Sequence, residues 1–148
     1  MTTRYTIDPA NRVVYSIVEG PVTDDDLFRH VARMASDAQF NPEYDHVVDT
    51  TLIGEVHITS HCIRTVAGMS PFAPTSHRAF VTNKPVVTGL VRMFDLSQQR
   101  SSHIRLFRSL TAAQQWLDDC HGRPGVLANV TTALAATQRD SVSPLPKP

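Results

Sequence analysis

Short runs with a two-residue hydrophobic period alternate along this chain with longer runs of helical period, and that alternation restricts the fold to the α/β class. Residues 4–18 read as a hairpin. Tyr5 and Ile7 alternate with polar neighbours; Val13, Tyr15 and Ile17 do so again, with Val14, Ser16 and Val18 on the other face. Asp8-Pro9-Ala10-Asn11 between them has turn chemistry, Asp at the first position and the preset φ of Pro at the second. Gly20-Pro21 is expected to break the second strand. Thr23 ahead of Asp24-Asp25-Asp26 marks a helix start: the hydroxyl caps free amides and the carboxylates meet the positive end of the dipole. Leu27, Phe28, Val31, Met34 and Ala35 then share one face.

The pattern repeats. Residues 46–50 suit a central strand, and residues 50–56 read as the loop that follows it. A second helix is expected over about 59–69, with Cys62, Ile63, Val66 and Met69 inward. Residues 78–82 read as a strand, Asn83 as a cap, and Pro85 as a first-turn residue of a helix whose stripe is Val87, Leu90, Val91 and Phe94. Residues 104–107 read as the last strand. Thr111 with Gln114 fits a capping box for the last helix, which should bury Ala113, Trp116, Leu117 and Cys120 and stop at Gly122 and Pro124.

The order is ββαβαβαβα: a mixed, mainly parallel sheet with an N-terminal β-hairpin. The length of 148 residues suits one domain, read over residues 1–121, with residues 122–148 as a C-terminal extension. In that extension Val126, Leu127, Val130 and Leu134 recur at helical spacing, which predicts a short helix at 126–136, docked on its own domain or on a second copy. The Pro-rich end beyond it is expected to be disordered.

Fourteen basic residues balance fourteen acidic ones, so no global field recruits nucleic acid or anionic lipid. The apolar runs fall far short of the roughly 20 residues that span a bilayer, and membrane insertion is not expected. The first residues contain no apolar leader core, and two Cys cannot make a disulfide framework; both point to the cytoplasm. There is no G-x-G-x-x-G, no G-x-x-x-x-G-K, no C-x-x-C, no H-E-x-x-H and no G-x-S-x-G, so no cofactor is expected.

Two groups of residues compete as sites. Asp49 at the end of a central strand would face the rim where open α/β sheets bind ligands. Thr51 in the next loop and Thr59 and Ser60 at the helix start could join it, their hydroxyls and free amides receiving a phosphate or small anion. Otherwise Asp49 simply holds the loop through backbone amides. His57 and His61, four residues apart, would share one helical face, as zinc requires, with Cys62 adjacent. No acidic ligand completes that set, and loop surface and core packing account for it, so no metal site is assigned.

The element order, with Tyr5-Thr6-Ile7-Asp8, Gly20-Pro21-Val22-Thr23-Asp24, Val47-Val48-Asp49-Thr50, Arg78-Ala79-Phe80-Val81 and the closing run over residues 106–117, resembles the small bacterial STAS-like proteins. These are akin to anti-sigma factor antagonists and are grouped with CRAL-TRIO-type lipid-binding folds. The resemblance covers residues 4–120 and implies a mixed sheet with about four helices and a regulatory or binding role. It places Thr59 and Ser60 near the antagonists' phosphorylated Ser, but the Asp-Ser-Ser-Gly-like motif is missing here.

Three functions follow, in order. The first is a non-enzymatic module that binds a protein partner and forms a homodimer. The second is a binding protein for a small apolar or lipid-like ligand, held near Met69, Phe72, Met93 and Phe94. The third is an enzyme built on Asp49, His57, His61 and Cys62.

Overall fold

The computed structural model describes residues 3–98 and 103–122. Its elements are β1 (Thr3–Asp8), β2 (Val13–Thr23), α1 (Asp24–Ala35), β3 (Asp45–His57), α2 (Ser60–Gly68), β4 (His77–Val81), α3 (Pro85–Ser97), β5 (His103–Phe107) and α4 (Leu110–His121). The order is the one the alternation predicts. The helix expected at 126–136 and the Pro-rich end lie outside the described residues.

The five strands lie in sequence order, with β1 antiparallel to β2 and the rest parallel. Parallel neighbours need crossovers, and these are right-handed almost without exception. Three such crossovers stepping the same way place α1, α2 and α3 on one face of the sheet. Helix α4 follows the last of the described strands and covers the other face. Side-chain alternation matches: Val13, Tyr15, Ile17, Val47, Ala79 and Val81 pack with Ala113 and Leu117 of α4. On the opposite face Val18 and Val48 pack with Val87 and Val91 of α3.

Local chemistry sets most boundaries as expected. Asp8 accepts from the Asn11 amide (3.2 Å) and from its side-chain Nδ2 (2.9 Å), which closes the first turn. Thr23 and Asp26 cap α1 reciprocally, the Asp26 amide donating to Thr23 Oγ1 (3.3 Å) and the Thr23 amide to Asp26 Oδ2 (2.9 Å). Gly122 ends α4 in the left-handed region at φ 62°.

Several expectations are corrected. Gly20-Pro21 does not break β2; two register shifts absorb the pair, with Gly20 at φ 70°. Among the described residues β1 pairs as far as Val18, and Pro21 falls at the second of the two register shifts, where a proline is tolerated. Residues 50–56 are strand, not loop. Pairing with β4 stops at Asp49–Val81, but β3 continues along β2 as far as Thr23–His57, through the β-rich Thr50-Thr51-Leu52-Ile53. Lys84 rather than Asn83 is the N-cap of α3, without a side-chain cap bond. Ser109 rather than Thr111 caps α4, its Oγ accepting from the Ala112 amide at 3.1 Å. Met69 is exposed because it lies just past α2 as its C-cap. Helix α4 buries Ala113, Gln114 and Leu117, which turns Cys120 outward and leaves Trp116 half-buried beside them.

Candidate functional site

A partly open pocket of about 140 Å3 lies between the sheet and helices α1, α2 and α3. Valines form much of its wall: Val18, Val22 and Val48 from the sheet, Val66 from α2, Val87 and Val91 from α3. These short side chains leave space between the layers that longer ones would fill. Phe72, Phe80 and Phe94 add aromatic surface, and the lining is almost wholly apolar. Phe72 and Phe94 are two of the four residues anticipated around an apolar ligand, whereas Met69 and Met93 are not part of the wall.

The pocket's polar side chains are mostly occupied with one another. His30 of α1 and His46 of β3 both meet Ser16 Oγ, at 2.9 and 2.8 Å. A hydroxyl has one proton, so one imidazole donates to Ser16 through its Nε2–H and the other accepts from it. Burial, with the Arg33 charge adding to it, lowers the His30 pKa to about 4. Burial, then the neighbouring His30 and Arg78, holds His46 well below its ordinary range. Both rings are therefore neutral at physiological pH, and His46 stacks on Phe72 at 4.5 Å.

Arg78 of β4 is buried in the same wall. Its Nη1 donates to Ser70 Oγ (3.0 Å) and its Nη2 to Gln98 Oε1 (2.7 Å), while the guanidinium lies over the Phe72 and Phe94 rings. Burial lowers its pKa to about 10, which still leaves it charged. Its Nε–H has no acceptor among the described residues.

The rim residues separate into two groups. Asp49 is half-buried, and its Oδ1 accepts from the Thr51 amide (2.9 Å) and the Thr51 hydroxyl (2.7 Å). Thr59 is the N-cap of α2: its Oγ1 accepts from the Cys62 amide (3.1 Å) and donates to Asp24 Oδ2 (2.8 Å), and its own amide donates to Asp24 Oδ1 (2.8 Å). Those bonds lower the Asp24 pKa, the backbone one most, and pin the start of α2 to the start of α1. Ser60 is exposed beside them. His57 ends β3 and pairs with Glu55 at 3.3 Å, while His61 lies in the first turn of α2; no single helix carries both. Cys62 is buried, and desolvation with the Asp24 charge pushes its thiol up to about 12, so it packs as an apolar group and is no nucleophile near neutrality.

On the α4 face a cluster appears that sequence spacing did not reveal. Asp45, His77 and His103 are the first residues of β3, β4 and β5, and His121 is the last of α4. The Asp45 carboxylate is buried; its Oδ2 is 2.6 Å from His121 Nε2 and its Oδ1 accepts from the His77 amide at 3.1 Å. The signal was present in the sequence, since each of these strands opens on or beside a histidine. It could be used only with the strand order known.

No protein-family model matches the chain, and no curated protein does either. Its structure is similar to the crystal structure of an uncharacterised DUF3478-family protein with a SpoIIAA-like fold from Shewanella loihica PV-4. The TM-score is 0.52 at 14% identity, over 78% of this chain and 93% of that one. Among the described residues no helix is long and apolar enough to cross a membrane. Five strands with an antiparallel first pair, four helices and this structural likeness together show that the chain takes the SpoIIAA-like, STAS-type α/β fold.

Proposed function

We propose that this chain is a non-catalytic, STAS-like binding module whose ligand is a small apolar or lipid-like molecule held between the sheet and helices α1 to α3. The pocket carries the reading. Protein interiors are close-packed, with few voids larger than a water molecule. Here about 140 Å3 is lined by valines and phenylalanines. An apolar cavity of about 150 Å3 stays dry and admits benzene. Water has few partners in such a lining, so an apolar guest gains what water cannot. The Arg78 Nε–H in the wall favours a guest whose apolar body ends in one carboxylate or carbonyl group.

The state of the described side chains in and around the pocket supports binding over catalysis there. Cys62 is protonated and packed, the pocket histidines are neutral with their Nε2 atoms on Ser16, and Asp49 Oδ1 is held by Thr51. The test is the intact mass of the full chain, purified from its native host and measured under native and then denaturing conditions. The reading expects a mass excess that disappears on denaturation. A native mass equal to that of the bare chain in every preparation overturns it.

A further inference from the structure

We propose that Asp45, His77 and His121 form a binding site for one divalent transition-metal ion, with Zn2+ the best fit. The sheet builds the site. His46 pairs with Arg78, which sets Asp45 beside His77, and His77 pairs with His103. All three side chains share the face of Val47 and Ala79, against which α4 packs. Helix α4 brings His121 over this row four residues beyond the buried Leu117.

The donor atoms of Asp45, His77 and His121 lie within 4.8 Å of one another. Donors around a tetrahedral ion with bonds of roughly 2.0–2.1 Å stand about 3.4 Å apart. Asp45 Oδ1 and His77 Nδ1 are 3.6 Å apart, too far for a hydrogen bond and close to that spacing. Asp45 Oδ2 and His121 Nε2, at 2.6 Å, share the proton that an ion would displace.

A second observation points to a ligand. His77 Nδ1 is buried and has no hydrogen-bond partner among the described residues. A polar atom buried without a partner is costly, and a cation between it and Asp45 would supply one. The His77 ring is already oriented: it stacks on His103 at 4.8 Å and meets Trp116 and His121 edge-on at 5.6 and 5.0 Å. Two imidazoles and one carboxylate suit Zn2+ and its transition-metal neighbours, whereas Mg2+ and Ca2+ select oxygen donors. A fourth position remains for water or an external ligand. The site lies on the face of the sheet opposite the apolar pocket, so neither proposal depends on the other.

The full chain is stripped with a chelator and titrated with Zn2+ against a chromogenic competitor, and with Co2+ as a spectroscopic probe. One equivalent of each is expected to bind, Co2+ giving the intense visible bands of a four-coordinate site. His121→Ala, at the exposed end of α4, and His77→Ala should each weaken Zn2+ binding at least about tenfold. A His57→Ala/His61→Ala double variant should bind as the parent does. Circular dichroism of each variant separates lost ligands from lost fold. Failure to bind one equivalent, unchanged affinity in a folded His121→Ala, or loss of binding in the His57/His61 variant overturns the proposal.

Discussion

Ser16 holds two imidazoles at once, and its single proton can go to only one of them. Burial disfavours a charge on either ring. The sign of the pH effect follows. An unfolded His takes up its proton near pH 6.5, but folded His30 does so only near 4. Stability from this group is therefore fully present above about pH 6.5 and is lost as pH falls toward 4, by on the order of 3 kcal/mol. His46 is lowered too and acts in the same direction. Urea midpoints should decline steadily from pH 7 to 4.5, and His30→Gln should flatten the decline; a parent protein equally stable at both ends contradicts this. Trp116 gives a milder expectation. Its indole is only half-buried, packed against His77 and Phe107. Trp116→Ala should cost about 2–3 kcal/mol, less than the roughly 3–5 kcal/mol of a fully enclosed ring. Urea unfolding reads the difference, and a loss below about 1 kcal/mol would mean that the ring adds little to the core. At this scale the sequence was least legible. His30 and His46 lie 16 positions apart, and His77 and His121 44 apart, so no local spacing announces either cluster; folding brings them together.

The elements themselves could be read because the alternation of strand and helix periods is a local property. Val13 to Val18 form the near-continuous apolar run of a strand buried on both faces, and Thr23 with its three aspartates announces α1 before any packing is known. Boundaries set by pairing could not be read that way. Gly20-Pro21 looks like a stop in isolation, but β3 runs alongside and carries β2 through it with a bulge. The same close approach explains Gly54. A Cβ there would meet the Gly20 carbonyl carbon at 3.0 Å and the Pro21 nitrogen at 3.2 Å, both backbone atoms that cannot swing aside. Gly54→Ala should therefore destabilise by about 1–3 kcal/mol. Gly89, inside α3, has nothing within 4 Å of its added Cβ. Gly89→Ala should stabilise by up to about 1 kcal/mol, because alanine loses less entropy in a helix. The two melting temperatures should move in opposite directions. A shared sign would mean that the β2–β3 contact is looser, or α3 less regular, than described.

For the whole molecule, the handedness of parallel crossovers determines where a ligand can go. Three crossovers in one direction crowd α1, α2 and α3 onto one face, and the space between them and a valine-rich sheet is the pocket. Among the described residues the other face carries one helix, α4, whose end lies over the row begun by Asp45 and His77. Fold class and element order could be anticipated from the alternation and from the STAS-like resemblance. The pocket could not, because it depends on how far three helices stand from the sheet, which no run of residues encodes. The most direct test is a toluene titration of the full chain, followed by amide chemical shifts in the parent and in Val91→Phe. Saturable shifts confined to residues around Val18, Val48, Val66 and Val87 are expected, and their loss in Val91→Phe, whose ring occupies the space. Toluene that shifts no pocket amide in the parent, or shifts the same amides equally in both proteins, contradicts this.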